Sequence, residues 1–332
     1  MKLRHKKFIL KAVIIISVII FVIVNIAGIY VGNIFYNMVC KISIDRTQDA
    51  YETFKKSFNY GRLNVLDQED VSIKSNFGYK LDGTYIKNPS ETQNTVIILH
   101  GITGSRWEAM KYADMYLDLG FNILIYDSRY HGNSGGNDVS LGYFEKYDLN
   151  NCVQWVRQKN PKGIIGVHGE SMGAATALLQ SKMNMDKKTV SFYVVDCPYS
   201  DLTELFAMKL KEELKPHTDI LVNGIIFYTS LVALYKSGFS IYSISPIKAI
   251  KDVSTPIMFI HGADDEFIPP TMTMELYFQK KAPKSIYIAQ NAGHAMAYLT
   301  DKQEYSSKVR QFLQDIKIID KNKIPPDLAE NN

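Results

Sequence analysis

The sequence predicts an α/β fold, with a mostly parallel central sheet, helices on both faces and one transmembrane helix ahead of it. Three observations carry that reading. Short runs that are apolar throughout alternate with helical patterns from Thr95 to about residue 316, and strands of that kind belong to parallel sheets covered on both sides. The 25 residues from Ala12 to Tyr36 contain no charge, and a helix of about 20 apolar residues crosses the hydrocarbon core of a bilayer. The remainder, in a chain that is 46% hydrophobic and 22% charged, has the composition of a domain that buries a core.

Taken in order, residues 1–11 form a basic tail in which Lys2, Arg4, Lys6, Lys7 and Lys11 stand without an acid. Residues 12–36 form the membrane anchor. Positive charge before the span favours a cytoplasmic N-terminus, a single-pass cell-membrane topology and an extracellular main domain. A cleaved signal peptide would have an apolar core of about 7–15 residues and a small-residue cleavage site. This run is longer, and Asn25-Ile26-Ala27 fits such a site poorly, so an uncleaved signal-anchor is expected. Residues 37–65 read as a juxtamembrane segment, polar and amphipathic from 41 to 60. The main domain covers 66–318. Its strand-like runs are Val71–Ser75, Tyr79–Lys87, Thr95–Leu99, Asn122–Tyr126, Gly163–Val167, Val190–Val195, Ile257–Ile260 and Ser285–Ile288. Helical patterns lie near 106–119, 143–159, 171–184, 270–281 and 302–316. Residues 199–250 interrupt the alternation and read as a helical lid. Its apolar run Ile220–Tyr235 is short for a second span. Residues 319–332 are expected to be a disordered tail.

Several function classes are excluded by composition and motif. The formal net charge of +4 resides in the first 11 residues, so the rest of the chain offers no broad nucleic-acid surface. Cys40, Cys152 and Cys197 are too few and too scattered for a disulfide framework or a Cys-rich zinc site, and are expected to be buried free thiols. No His-Glu-x-x-His run, phosphate-cradling loop or dinucleotide fingerprint occurs, so no metal and no cofactor is expected.

The chemistry starts at Gly169-Glu170-Ser171-Met172-Gly173. A strand runs into this pentapeptide and a helix leaves it, the setting that forces a serine onto a strained turn with its hydroxyl presented. A serine hydroxyl is a weak nucleophile and needs a base within hydrogen-bond reach. After such an elbow an acid follows, then a histidine. Of seven histidines, His217 falls in the lid, His261 precedes any suitable acid, and His294 follows both the acid and the last strand. The acid lies in the turn Asp264-Asp265-Glu266, where spacing leaves three candidates open. Donors for an oxyanion are expected from the backbone N–H of Met172 and of Ile102, the latter in His100-Gly101-Ile102-Thr103-Gly104. His100, Asp127, Arg129 and His131 read as structural.

These segments, with Asp127-Ser128-Arg129-Tyr130-His131-Gly132-Asn133-Ser134 and His261-Gly-x-x-Asp265-x-x-Ile268-Pro269, resemble the motif set of the α/β-hydrolase superfamily over residues 70–318. Within it the resemblance is to bacterial serine aminopeptidase-like and cinnamoyl-esterase-like hydrolases. It implies an α/β-hydrolase fold with a helical lid, and assigns the acid to Asp265, the fifth residue of its turn. It further implies a serine hydrolase with Ser171, Asp265 and His294 as triad, whose activity falls as pH drops through about 6.5. A carboxylic ester or thioester, hydrophobic in character, is the expected substrate (EC 3.1). The alternatives are a serine aminopeptidase acting on short peptides (EC 3.4), with Glu170 or Glu204 holding the substrate amine, and a non-catalytic surface binding protein.

Overall fold

The computed structural model describes residues 2–42, 44–57, 61–214 and 219–320. His217 and the tail from residue 321 lie outside the described residues. The chain divides into two units, Met1–Lys41 with Phe206–Ser243, and Ile42–Leu205 with Ile244–Asn332.

The larger unit is built on an eight-stranded sheet. Its strands are β1 (Gln68–Lys74), β2 (Lys80–Ile86), β3 (Thr95–Leu99), β4 (Asn122–Tyr126), β5 (Ile165–Glu170), β6 (Phe192–Asp196), β7 (Ile257–Gly262) and β8 (Lys284–Ala289). Their spatial order is β1-β2-β4-β3-β5-β6-β7-β8. The pairs β1–β2 and β2–β4 are antiparallel and the remaining pairs parallel. The helices of this unit are α2 (Ile44–Ser57), α3 (Arg106–Ala109), α4 (Ala113–Asp118), α5 (Glu145–Lys159), α6 (Met172–Lys187), α9 (Pro246–Ala249), α10 (Pro270–Gln279), α11 (Ala297–Thr300) and α12 (Lys302–Asp315). The smaller unit holds α1 (Lys2–Cys40), α8 (Asp219–Ser237) and most of α7 (Leu202–Leu214).

Alternation along the strands explains why both faces are covered. Val96 and Ile98 of β3, Ile123 and Ile125 of β4 and Val194 of β6 point into one core with Tyr116, Val309 and Phe312 from α4 and α12. Ile97, Leu99, Leu124, Tyr193 and Val195 point into the other with Leu149, Val153, Ala174 and Leu178 from α5 and α6. A strand with apolar residues at every position can only be satisfied between two such layers. The predicted strand Gly163–Val167 runs three residues further, to Glu170. Its polar end is stable because His168 and Glu170 find buried partners: the Tyr116 hydroxyl lies 2.9 Å from His168 Nδ1, and Lys111 pairs with Glu170. The first helical pattern, read as 106–119, is broken into α3, a 3₁₀ turn at Met110–Tyr112 and α4. Cys40, Cys152 and Cys197 are all buried and form no disulfide with one another.

In the smaller unit, Arg4–Cys40 and Asp219–Ser237 are both long and apolar enough to cross a membrane. Leu210, Val222, Ile225 and Ile226 pack there with Val31, Phe35 and Phe206.

Candidate active site

Five parallel strands, β3, β5, β6, β7 and β8, end at one edge of the sheet, and the residues of interest follow their carboxyl ends. Ser171 stands between β5 and α6 with φ +54° and ψ −116°, a left-handed conformation that costs a non-glycine residue free energy. Two glycines make the turn possible. A Cβ on Gly169 would lie 2.3 Å from the Gly173 carbonyl oxygen, and one on Gly173 would lie 2.7 Å from the His100 carbonyl oxygen. The Ser171 N–H donates to the Asp196 carbonyl at 2.8 Å, which ties the turn to the end of β6.

The Ser171 hydroxyl lies 3.0 Å from His294 Nε2, and His294 Nδ1 lies 2.7 Å from Asp265 Oδ2. These residues are 123 and 29 positions apart in the chain. Asp265 is buried, and burial pushes its carboxyl up; hydrogen bonds from His261 and His294, and from backbone N–H groups, outweigh that and hold it well below the usual carboxylate range. Phe267 and Ile268 N–H both donate to Asp265 Oδ1 at 2.9 Å. With Asp265 ionised, Nδ1 of His294 carries the proton and Nε2 is left to accept from Ser171. Phe267 packs edge-on to the imidazole, centroid to centroid 5.0 Å.

His261 has a place here that its position in the sequence concealed. Its Nε2 lies 3.0 Å from Asp265 Oδ2 and its Nδ1 2.6 Å from the Thr273 hydroxyl. It therefore touches the same carboxylate oxygen as His294. The His-Gly-x-x-Asp spacing puts residues i and i+4 of one turn together, which is the signal that could have found it.

The loop after β3 is fixed by two neutral histidines. His100 Nε2 accepts from Ser128 N–H at 2.9 Å while its Nδ1 lies 2.6 Å from the Gly101 carbonyl. His131 Nε2 accepts from Thr103 N–H at 3.2 Å, and its Nδ1 lies 2.9 Å from the Arg129 carbonyl. Burial, with the nearby His131, lowers the pKa of His100 to about 3, and burial lowers that of His131. Asp127 accepts from Arg106 N–H at 2.8 Å, and Arg129 pairs with Asp138 at 2.7 Å. All four positions hold loops together. Gly101 approaches Ser171 so closely that a Cβ there would lie 3.3 Å from the serine Cβ. Ile102 follows in this loop, and Met172 opens α6, where a first-turn N–H has no partner within the helix.

Lys111 was not singled out by sequence. Its ammonium lies 2.5 Å from Glu170 Oε2, with both side chains almost fully buried, and 3.4 Å from the Ala295 carbonyl. The Tyr112 hydroxyl also donates to Glu170. Glu108 is half-buried close by, and burial, then the charge of Glu170, pushes its carboxyl up to about 7.

Among the described residues one group could hold a metal ion, Cys197, Asp265 and His294, whose ligand atoms lie within 4.8 Å of one another. Burial and then Asp196 drive the Cys197 thiol well up. A neutral thiol is a poor ligand, and both nitrogens of His294 already have partners.

Comparison with known proteins sets this geometry in context. The alpha/beta hydrolase fold family matches residues 94–210. An uncharacterised protein of Bacillus subtilis, YqkD, is 37% identical over 84% of this chain and 87% of its own length. The chain belongs to the α/β-hydrolase family. An esterase of Pyrococcus furiosus superposes on this hydrolase-fold chain with a TM-score of 0.62 at 26% identity, covering 78% of this chain and 94% of the esterase. The lysophosphatidylserine lipase ABHD12 of Mus musculus is 20% identical over 66% of this chain and 55% of its own.

Proposed function

We propose that this α/β-hydrolase-family protein is a membrane-anchored serine hydrolase that cleaves a carboxylic ester or thioester with a hydrophobic acyl group. One observation carries the reading: a hydroxyl on a strained turn lies 3.0 Å from an imidazole that is itself 2.7 Å from an ionised carboxylate. In the proposed reaction Ser171 Oγ bonds to the substrate carbonyl carbon as His294 Nε2 takes the hydroxyl proton. Asp265 holds the tautomer and stabilises the imidazolium. The N–H groups of Ile102 and Met172 receive the oxyanion, each worth about 2.7–4 kcal/mol of transition-state stabilisation. The tetrahedral adduct collapses, the bond to the leaving group breaks, and that group takes the proton from His294. Water then attacks the acyl-enzyme with His294 as base, releasing the acid and restoring the hydroxyl.

The ester preference over peptide hydrolysis is supported by Glu170. Its carboxylate is spent on Lys111 and Tyr112, so it does not offer a free charge to a substrate amine. A lipid-like ester is favoured by the apolar anchor and by the lipase among the relatives. The basic tail before the anchor favours a cytoplasmic N-terminus with the larger unit outside. A fluorophosphonate probe is expected to label the protein, and Ser171→Ala to abolish labelling. Labelling that persists in that variant would refute the assignment of the nucleophile. Faster turnover of amino-acid p-nitroanilides than of p-nitrophenyl acyl esters would refute the ester preference.

A further inference from the structure

The apolar helix α8 was set aside in the sequence as too short to span alone. In the structure it does not stand alone. Within the smaller unit it runs parallel to α1: the Tyr228 hydroxyl donates to Asn25 at 3.1 Å, Lys236 to Asn33 at 2.6 Å, and the hydroxyls of Tyr36 and Ser237 meet at 2.6 Å. The sequence offsets of these three pairs are 203, 203 and 201 residues, so the two helices keep nearly one register from Asn25 to Tyr36. Glycines let the backbones close. A Cβ on Gly28 would lie 2.2 Å from the Tyr228 ring, and one on Gly32 would lie 2.5 Å from the Tyr228 carbonyl carbon and 2.8 Å from Thr229 N. Gly28-x-x-x-Gly32 is the small-residue spacing by which helices associate in lipid, where no hydrophobic force drives them together. The polar groups of the seam are satisfied in pairs, as a medium without water requires: Asn25 Nδ2 also donates to the Phe21 carbonyl at 2.8 Å, and the Thr229 hydroxyl to the Ile225 carbonyl at 2.7 Å.

That register fixes the depth of α8. Its uncharged run, Ile220–Tyr235, lies beside the uncharged run of α1. Extending the offset of 203 seen at Tyr228 and Lys236 carries Asp219 to about the level of residue 16 of α1, some 7 Å along the helix axis from Lys11. At the other end Lys236 pairs with Asn33 and lies over the Tyr36 ring. Charges on the α7 side of the pair are matched locally, Lys211 with Asp219 and Lys209 with Glu212, each at 2.7 Å. The outward face of α8 nevertheless presents Ile220, Leu221, Phe227, Leu231, Leu234 and Tyr235 uncovered, continuous in register with the bare Ile and Val residues of α1. A surface of this kind does not remain in water.

We propose that α8 lies in the bilayer beside α1 and that lipid acyl chains cover its outward face. The proposal rests on the reading of α1 as a membrane span. Whatever medium surrounds residues 25–36 of α1 surrounds residues 228–237 of α8 as well, because the two are bonded at three levels. The chain then reaches into hydrocarbon twice, the second helix falling between β6 and β7 in chain order.

Single cysteines introduced at Phe227 and Leu231, with Ile19→Cys in α1 as reference, can be labelled with an environment-sensitive fluorophore in the full-length protein. The three native thiols are buried, and unmodified protein gives the background. In proteoliposomes, all three sites are expected to be quenched several-fold more by phospholipid with a spin label on its acyl chain than by aqueous iodide. Quenching at Ile19→Cys with iodide access at Phe227→Cys and Leu231→Cys overturns the proposal while the anchor stands. No lipid quenching at any site overturns both. Protection of Leu231→Cys from both quenchers, with cross-linking between chains, would assign the face to a second copy and also overturn the proposal. Gly32→Leu is expected to abolish lipid quenching at Leu231→Cys, whereas Gly224→Leu retains it, since a Cβ at Gly224 meets nothing within 4 Å. Equal behaviour of the two glycine variants would count against the seam. Turnover of a water-soluble ester by both variants reports that the larger unit is folded.

Discussion

Lys111 is joined to both sides of the proposed reaction centre, because Glu170 precedes Ser171 and Ala295 follows His294 in the chain. A buried ion pair contributes little net stability compared with an apolar pair, but removal of one partner strands a charge. Lys111→Met is therefore expected to lower unfolding free energy by about 3–5 kcal/mol, read by denaturant titration in detergent, and the double variant Lys111→Met, Glu170→Gln to recover part of the loss. Asp265→Asn is expected to reduce kcat about 10³–10⁴-fold with little change in KM, because an amide no longer holds the required imidazole tautomer. A loss below tenfold would remove Asp265 from the proposed triad. His100 supplies a pH test. Its pKa is lowered to about 3 by burial, so unfolding takes up a proton between pH 6.5 and 3, and its contribution to stability falls as pH drops through that window. Replacing it with Asn is expected to flatten the slope of unfolding free energy against pH by up to about 1.4 kcal/mol per pH unit between pH 4 and 6. Equal slopes would show that the histidine is not held neutral.

At the scale of elements, the turn from β5 into α6 tolerates no side chain where glycine stands. Gly169→Ala is expected to cost several kcal/mol, since its methyl group would meet backbone at 2.3 Å. Thermal unfolding close to that of the parent protein would refute this. The same turn shows what is legible from sequence. A Gly-x-Ser-x-Gly between an apolar run and a helix announces strand, turn and helix locally, so β3, β4 and β5 to α6 could be located by pattern alone. The end of β5 could not, because His168 and Glu170 look like loop residues until Tyr116 and Lys111, over 50 residues away, are seen beside them. His294 was legible by its order after the strands. The second imidazole on Asp265 was not, since His261 appeared only to close a strand. The partner of α8 was the least visible, because the glycines that receive it lie some 200 residues earlier and carry no side chain to pattern.

For the whole molecule, the proposed placement of α1 and α8 in lipid gives the two units different solvents. A variant that begins at Ile42 removes α1 and exposes the face of α8 that Gly28, Gly32, Val31 and Phe35 cover. Such a chain is expected to aggregate or to elute with detergent in size-exclusion chromatography, even though the sheet and the proposed triad lie entirely outside the deleted segment. A monodisperse monomer in plain buffer would show that α8 can be covered without the anchor.

The doubly held carboxylate of Asp265 has one more consequence. His261 and the N–H groups of Phe267 and Ile268 grip it independently of the partner opposite Ser171. Truncating that partner, in His294→Gly, would leave a slot the size of a five-membered ring, walled by Phe267 and with its anionic end still aimed. Free imidazole added to the buffer should slip into that space and restore ester turnover in a saturable manner, a chemical rescue that the parent enzyme would not need.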